Sequence, residues 1–139
     1  FLLPTPSVKN GFFWVEELGG WLPNQWKHAI KLAKNINKDF SSQLPTERIL
    51  STYSSGMDVV AGAINPTGID YIIHALGNHA RTRYLEQFKN IRPRYITTLR
   101  EDFTKWETWV RRTNWWFYRE FFPNYQPVEA TFYNIIWKQ

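Results

Sequence analysis

Five arginines carry the densest potential chemistry in this chain: Arg81, Arg83, Arg92, Arg94 and Arg100 surround a β-prone run from Tyr95 to Leu99. Guanidinium groups fork onto phosphate or carboxylate oxygens, and the carboxyl ends of strands line the ligand crevices of many α/β folds. Only Arg100 sits at that end, which makes it the candidate for an anion pocket. Ordinary surface pairing with Asp70, Glu86 and Glu101 is the commoner fate of such a cluster and is the favoured reading. The three histidines, His28, His74 and His79, have neither metal-ligand spacing nor flanking carboxylates arranged to hold an ion. His74 lies on an apolar segment where a satisfied, partly buried ring is the usual outcome, although its titration range keeps it eligible as a ligand group. The adjacent Glu101 and Asp102 are explained by a helix N-terminus, where the dipole favours carboxylates, better than by paired acid and base work. Phosphate-loop, dinucleotide and nucleophile-elbow patterns are absent. No catalytic set, metal site or cofactor is expected.

Aromatic residues make up 18% of the chain, and four of its eight Trp fall between Phe103 and Phe122. Helical spacing over that stretch puts Phe103, Trp106, Val110, Phe117 and Phe121 on one face, the expected core side. Trp109, Trp115 and Trp116 point in more directions than one stripe can hold, so at least one indole is expected at the surface. Such an indole suits a sheet edge, a sugar ring or a bilayer interface, where its apolar body and polar N–H are both satisfied. Arg111, Arg112 and Arg119 lie among these rings, close enough to meet lipid phosphates. The same interleaving, Arg111-Arg112-x-x-Trp115-Trp116-x-Tyr118-Arg119, also fits nucleic acid, provided that Trp and Arg share one exposed face. Arg100, His74, Trp109, Trp115, Trp116 and Arg112 are therefore the candidate ligand-binding residues.

The elements that position them follow from periodicity. Residues 1–23, broken by Pro4, Pro6, Gly11, Gly19 and Gly20, read as an irregular N-terminal arm, and residues 24–139 as a single α/β domain. Trp26, Ala29, Ile30, Ala33, Ile36 and Phe40 recur at helical spacing behind a capping Asn24, with Lys27, Lys31, Lys34 and Lys38 on the solvent face. Arg48 to Tyr53 is a strand leading into a turn at Ser54-Ser55-Gly56. Ile69, Ile72, Ile73 and Leu76 favour a helix over Asp70 to Leu76, stopped by Gly77, with Asn78 capping the next helix through Ala80, Tyr84, Leu85 and Phe88. Tyr95 to Leu99 is a second strand, and strand, helices, strand implies a parallel crossover. Val128 to Phe132 and Ile135 to Trp137 form a terminal hairpin around Tyr133-Asn134. The expected fold is a layered α/β sandwich around a small mixed, partly parallel sheet, a Rossmann-like half with a C-terminal hairpin.

Length and composition agree with one domain: 139 residues, a net charge of +5, and no cysteine for a disulfide framework or thiolate metal site. The basic balance permits an acidic partner, whether a phosphate-bearing ligand, nucleic acid or an anionic membrane surface. No apolar run reaches the roughly 18 to 20 residues that span a bilayer. The chain starts at Phe1, and its only methionine is Met57, so it reads as a piece of a longer protein or a processed form.

The order Ile49-Leu-Ser-Thr-Tyr-Ser-Ser, Pro66-Thr-Gly-Ile-Asp70-Tyr-Ile-Ile-His-Ala-Leu-Gly77, Arg81-x-Arg-Tyr-Leu, Pro93-Arg-Tyr-Ile-Thr-Thr and Asn124-Tyr-Gln-Pro-Val resembles the extracytoplasmic domain that ends certain large bacterial polytopic membrane proteins. Their plan is similar to that of the GT-C glycosyltransferases, and the likeness covers about Trp26 to Lys138. It implies a non-catalytic domain on the outer face of the cell membrane. Its implied partners are the transmembrane portion of the same polypeptide, the membrane surface, and a saccharide or lipid-linked sugar. The alternatives are a free-standing carbohydrate-binding module, marked by coplanar exposed rings along a groove, and the nucleic-acid binder described above.

Overall fold

The computed structural model describes residues 10–139 and shows an α/β fold in three layers. Residues 1–9 of the expected arm lie outside the described part. The rest of that arm is more regular than the sequence suggested: β1 (Phe12–Val15) and β2 (Gly20–Pro23) form an antiparallel hairpin. Val15 is fully buried, and Phe13, Leu18 and Leu22 pack on the same core as the domain.

The main sheet has β3 (Ile49–Ser51), β4 (Tyr95–Leu99), β5 (Gln126–Ala130) and β6 (Asn134–Lys138) in the order β3-β4-β6-β5. β3 and β4 run parallel, with Leu50 opposite Ile96, while β6 is antiparallel to both β4 and β5. This is the partly parallel sheet expected. Side chains alternate across it, as strand geometry requires. Ile49, Leu99 and Ile136 face helix α1 (Lys27–Asp39) and the short α2 (Gly56–Val60). Leu50, Ile96 and Trp137 face α3 (Gly77–Ile91), α4 (Glu107–Thr113) and α5 (Trp115–Phe121).

Helix α1 buries Ala29, Ile30, Ala33 and Ile36 and leaves Lys27, Lys31, Lys34 and Lys38 exposed, as its periodicity dictates. Its entry differs from expectation, since Asn24 opens a 3-10 turn and caps nothing with its side chain. Asn78 likewise lies inside α3, whose first residue is Gly77 at φ 79, so Gly77 starts a helix rather than ending one. The helix expected over Asp70 to Leu76 shrinks to a 3-10 turn, Ile72–His74. The cause is the open edge of β3: Ser54 N–H bonds to Asp70 O, Ile72 N–H bonds to Thr52 O, and Tyr53 pairs with Tyr71 as an antiparallel bridge. Backbone pairing outweighs a helical period only a few residues long.

The aromatic helix is also divided. Asn114, at φ −114 and ψ 27, separates α4 from α5. Its buried amide donates to Val110 O at 3.0 Å and accepts from Trp116 Nε1 at 3.1 Å, while Thr113 Oγ1 donates to Trp109 O at 3.0 Å. Local side-chain bonds of this kind compete with the helical ladder. Val110, Phe117 and Phe121 are buried as expected, whereas Phe103 and Trp106, which precede the first residue of α4 and so fall outside the helical projection, are exposed and not core.

One arginine that the sequence did not single out is structural. Arg48 is buried and donates to Asn37 Oδ1, Ala61 O and Gln43 O at 2.7, 3.0 and 3.2 Å. Gly62, at φ 64, makes room for it, because a Cβ there would sit 2.6 Å from Arg48 Nη1.

Candidate functional site

The parallel strands end at Ser51 and Leu99, and the segment that follows β4, from Arg100, leads into the aromatic helices. Arg100 is fixed at its backbone by a bond from its N–H to Tyr133 O. Three of its five N–H donors are engaged: Nε and Nη2 meet the two Asp102 oxygens at 2.8 and 2.6 Å, and Nη1 reaches Thr131 O at 3.0 Å. That hydrogen-bonded pair holds the Asp102 carboxyl below its usual range. Neither Glu101 nor Asp102 lies at a helix start, since α4 begins at Glu107. Their role is ion pairing: Asp102 holds Arg100, and Glu101 meets Arg111 at 2.9 Å.

Two open grooves meet at Glu101 and Arg111. The first, of about 590 Å³, runs past Arg100, Asp102, Ala130 and Ile135. The second, of about 400 Å³, is walled by Thr108, Arg112 and Trp115. Arg100 and Arg112, both expected as ligand residues, thus flank one continuous depression, with Arg111 between them. Arg112 makes no side-chain hydrogen bond or ion pair among the described residues, whereas the charge of Arg100 is already matched by Asp102.

Beneath Arg111 lies Glu107, a group that sequence reasoning missed. It is 1% exposed, accepts from Tyr118 OH at 3.3 Å, and stands 3.5 Å from Arg111 Nε. Burial pushes its carboxyl up to about 7, against the lowering influence of Arg111 and the Tyr118 bond. The same burial pushes Tyr118 well above its ordinary value, with Glu107 adding to it. Buried acids are rare and are normally well partnered. The only sequence signal was a Glu at the core-facing angle of α4, next to Val110 in the helical projection.

The remaining candidates divide by exposure. Trp109 and Trp115 are 54% and 50% exposed, and Trp106, assigned to the core by its spacing, is 69% exposed. Trp106 and Trp109 meet edge to face at 6.4 Å and 79°, so they do not form a flat sugar-stacking platform. Trp109 and Arg112 are one turn apart on α4, Arg112 and Trp115 wall the same groove across the Asn114 break, and Arg119 comes one turn after Trp115 on α5, 3.8 Å from Glu120. This gives an outward ridge of alternating indole and guanidinium. Trp116 belongs elsewhere: half-buried, it packs against Tyr84 at 5.5 Å and lies under Arg81 at 5.7 Å. Tyr118 is fully buried, so the interleaved stretch does not present Trp116 and Tyr118 to a nucleic acid together with its arginines. His74 is exposed on its 3-10 turn, not partly buried on a helix, and it pairs with Asp70 at 3.1 Å, far along the chain from the ridge.

A second polar cluster sits on the other side of the sheet. Thr97 Oγ1 donates to Ser51 Oγ, which donates to Asp58; Asp58 also accepts from Ser55 N–H, and Ser55 Oγ bonds to Tyr133 OH at 2.7 Å. Burial raises the Asp58 carboxyl above its ordinary value. Ser55 and Asp58 form the capping box of α2, and the other hydroxyls tie it to the sheet, so this buried cluster is structural.

Among the described residues, no three His, Asp or Glu side chains gather as a metal site, and no helix is long and apolar enough to cross a membrane. Comparison with protein-family models, curated proteins and solved structures produced no match to this chain.

Proposed function

We propose that this chain is a non-catalytic domain that rests on an anionic membrane surface through the ridge Trp106, Trp109, Arg112, Trp115 and Arg119. The setting we propose is the extracytoplasmic face of a multispanning bacterial membrane protein of the GT-C glycosyltransferase type, where the domain assists in holding a saccharide or lipid-phosphate acceptor. The setting rests on the sequence resemblance. The surface role rests on one observation: three indoles between 50% and 69% exposed, Trp106 against Trp109 and Trp115 in the groove with Arg112, lie beside the exposed Arg112 and Arg119. Apolar exposure on that scale marks a contact surface. Indole with guanidinium is the pairing that the headgroup region satisfies, because the ring enters the interface while the cation meets lipid phosphate. Lys105, exposed in the turn before α4 and next in sequence to Trp106, adds a further cation. A carbohydrate platform would instead need coplanar rings, which the 79° crossing of Trp106 and Trp109 does not provide.

The test is sedimentation with vesicles containing phosphatidylserine. Each cation near such a surface contributes about 1 kcal/mol. The double change Arg112→Gln and Arg119→Gln should therefore weaken binding by about thirtyfold. Lys31→Ser with Lys34→Ser, on the opposite helical layer, should leave binding within about twofold. A loss that follows the α1 lysines and ignores the ridge arginines would defeat the proposal.

A further inference from the structure

The groove between Thr108, Arg112 and Trp115 holds a particular set of groups: a guanidinium, a hydroxyl and an indole N–H, none with a hydrogen-bonding side-chain partner among the described residues. All three are donors. A tetrahedral anion with several oxygens can meet such donors at once, and the indole face offers cover for an organic substituent. The back of the groove is less settled. Arg111 Nε and Nη2 are buried without a hydrogen-bond partner, although Nη1 holds Glu101 and Nε faces Glu107 across 3.5 Å.

We propose that Thr108, Arg112 and Trp115, backed by Arg111, form a seat for the phosphate group of an ester, and that protonation of Glu107 strengthens the seat. The charges explain the second part. Arg111 and Arg112 are matched by Glu101 and Glu107, so the groove is neutral when both acids are ionised. When Glu107 takes a proton the groove carries one positive charge. The groups facing Glu107 are Arg111 on its own helix, Tyr118 on α5, Glu101 after β4 and Tyr71 before the 3-10 turn. Burial raises both tyrosines above their ordinary range, and Glu101 is exposed and paired with Arg111. Glu107, with its carboxyl raised to about 7, is the member that changes charge there. By linkage, an anion bound in the seat must in turn favour protonation of Glu107.

This inference leans on the ridge reading only for the source of the ester, a lipid headgroup; the seat itself is tested without a membrane. The probe is dihexanoyl phosphatidylglycerol, a phosphodiester that keeps one negative charge across this pH range, below its micelle-forming concentration, followed by titration calorimetry on the whole chain, with inorganic phosphate as the comparison. Wild-type affinity should rise about tenfold between about pH 8 and about pH 6. Near pH 7 binding should take up protons, seen as a heat that varies with the ionisation enthalpy of the buffer. Glu107→Gln should bind at about pH 8 as tightly as wild type at about pH 6 and lose the proton uptake, with the three histidines left in place. Arg112→Gln should lower affinity about tenfold or more at both pH values, while Thr108→Ala, at an exposed position, preserves the fold and lowers affinity severalfold.

No binding of the soluble ester by wild type overturns the seat, as does a pH dependence that survives Glu107→Gln. Equal affinity for inorganic phosphate and the ester overturns the assignment of an ester. Vesicle binding without ester binding removes the seat and leaves the ridge; ester binding without vesicle binding removes the lipid source and leaves the seat.

Discussion

Replacing Ile96 with Asp is expected to leave the domain unfolded in ordinary buffer. Ile96 is fully buried in β4, between β3 and β6, and its side chain lies in the layer made by Leu50, Tyr84, Phe88, Phe117 and Phe121. A carboxylate there would have no cation or donor to meet it. The cost of several kcal/mol for an unpaired buried charge compares with a total stability of about 5 to 15 kcal/mol for a domain of this kind. Ile49→Asp should act in the same way on the other face of the sheet, where Ile49 is fully buried against α1 and α2. Lys31→Ser and Lys34→Ser change exposed positions and should stay within about 0.5 kcal/mol of wild type. Thermal melts of the four variants decide the matter: a cooperative melt of Ile96→Asp close to that of wild type would contradict the fold.

The second large effect is on pH and stability. Glu107 has its carboxyl raised from 4.5 to about 7 in the folded domain. Between those values the folded protein holds a proton that the unfolded chain has released, so stability falls as pH rises across that window. Above it the ionised, buried acid costs about 3 kcal/mol relative to the acidic side. Glu107→Gln removes this dependence. It should be close to neutral near pH 4 and stabilise the domain by about 3 kcal/mol near pH 8. The loss of the ion pair acts in the opposite direction, because removing one partner of a buried pair often destabilises. Here Arg111 keeps Glu101 at 2.9 Å and is itself 21% exposed, while its approach to Glu107 is long, at 3.5 Å. Relief of the buried carboxylate therefore outweighs the attraction that is lost. Asp58 is also raised by burial, so the comparison must be between variant and wild type at each pH, where its share cancels. Urea melts across the range test this, and a variant that is less stable than wild type near pH 8 would show that the ion pair wins.

How far the residues revealed this in advance depended on the range of the interaction that decided each part. Helix α1 was legible because thirteen residues of unbroken amphipathic period leave one solution. The parallel pairing of β3 with β4 followed from helical sequence between two β-prone runs. The segment at Asp70 was misread because its neighbour in space, Tyr53, lies across a bridge that no local window contains. The aromatic stretch was read as one helix because Asn114 looks ordinary in a periodicity plot; its buried amide, bonded to Val110 O and Trp116 Nε1, is what turns the chain. The late start of α4, at Glu107, left Trp106 outside the helix and at the surface instead of in the expected core. Arg100 was correctly placed at a strand end, but nothing in its spacing showed that Asp102 and Thr131 O would occupy its fork. Glu107 was passed over because a charged residue on an amphipathic helix is normally solvated.

The central claim, an interfacial ridge, is tested most directly by quenching of tryptophan emission with brominated lipid chains in anionic vesicles. The ridge indoles should come within reach of the bromines while buried rings stay bright, giving partial quenching that falls sharply in the variant Trp106→Phe, Trp109→Phe, Trp115→Phe. Quenching that is absent in wild type, or that persists unchanged in the triple variant, would contradict it.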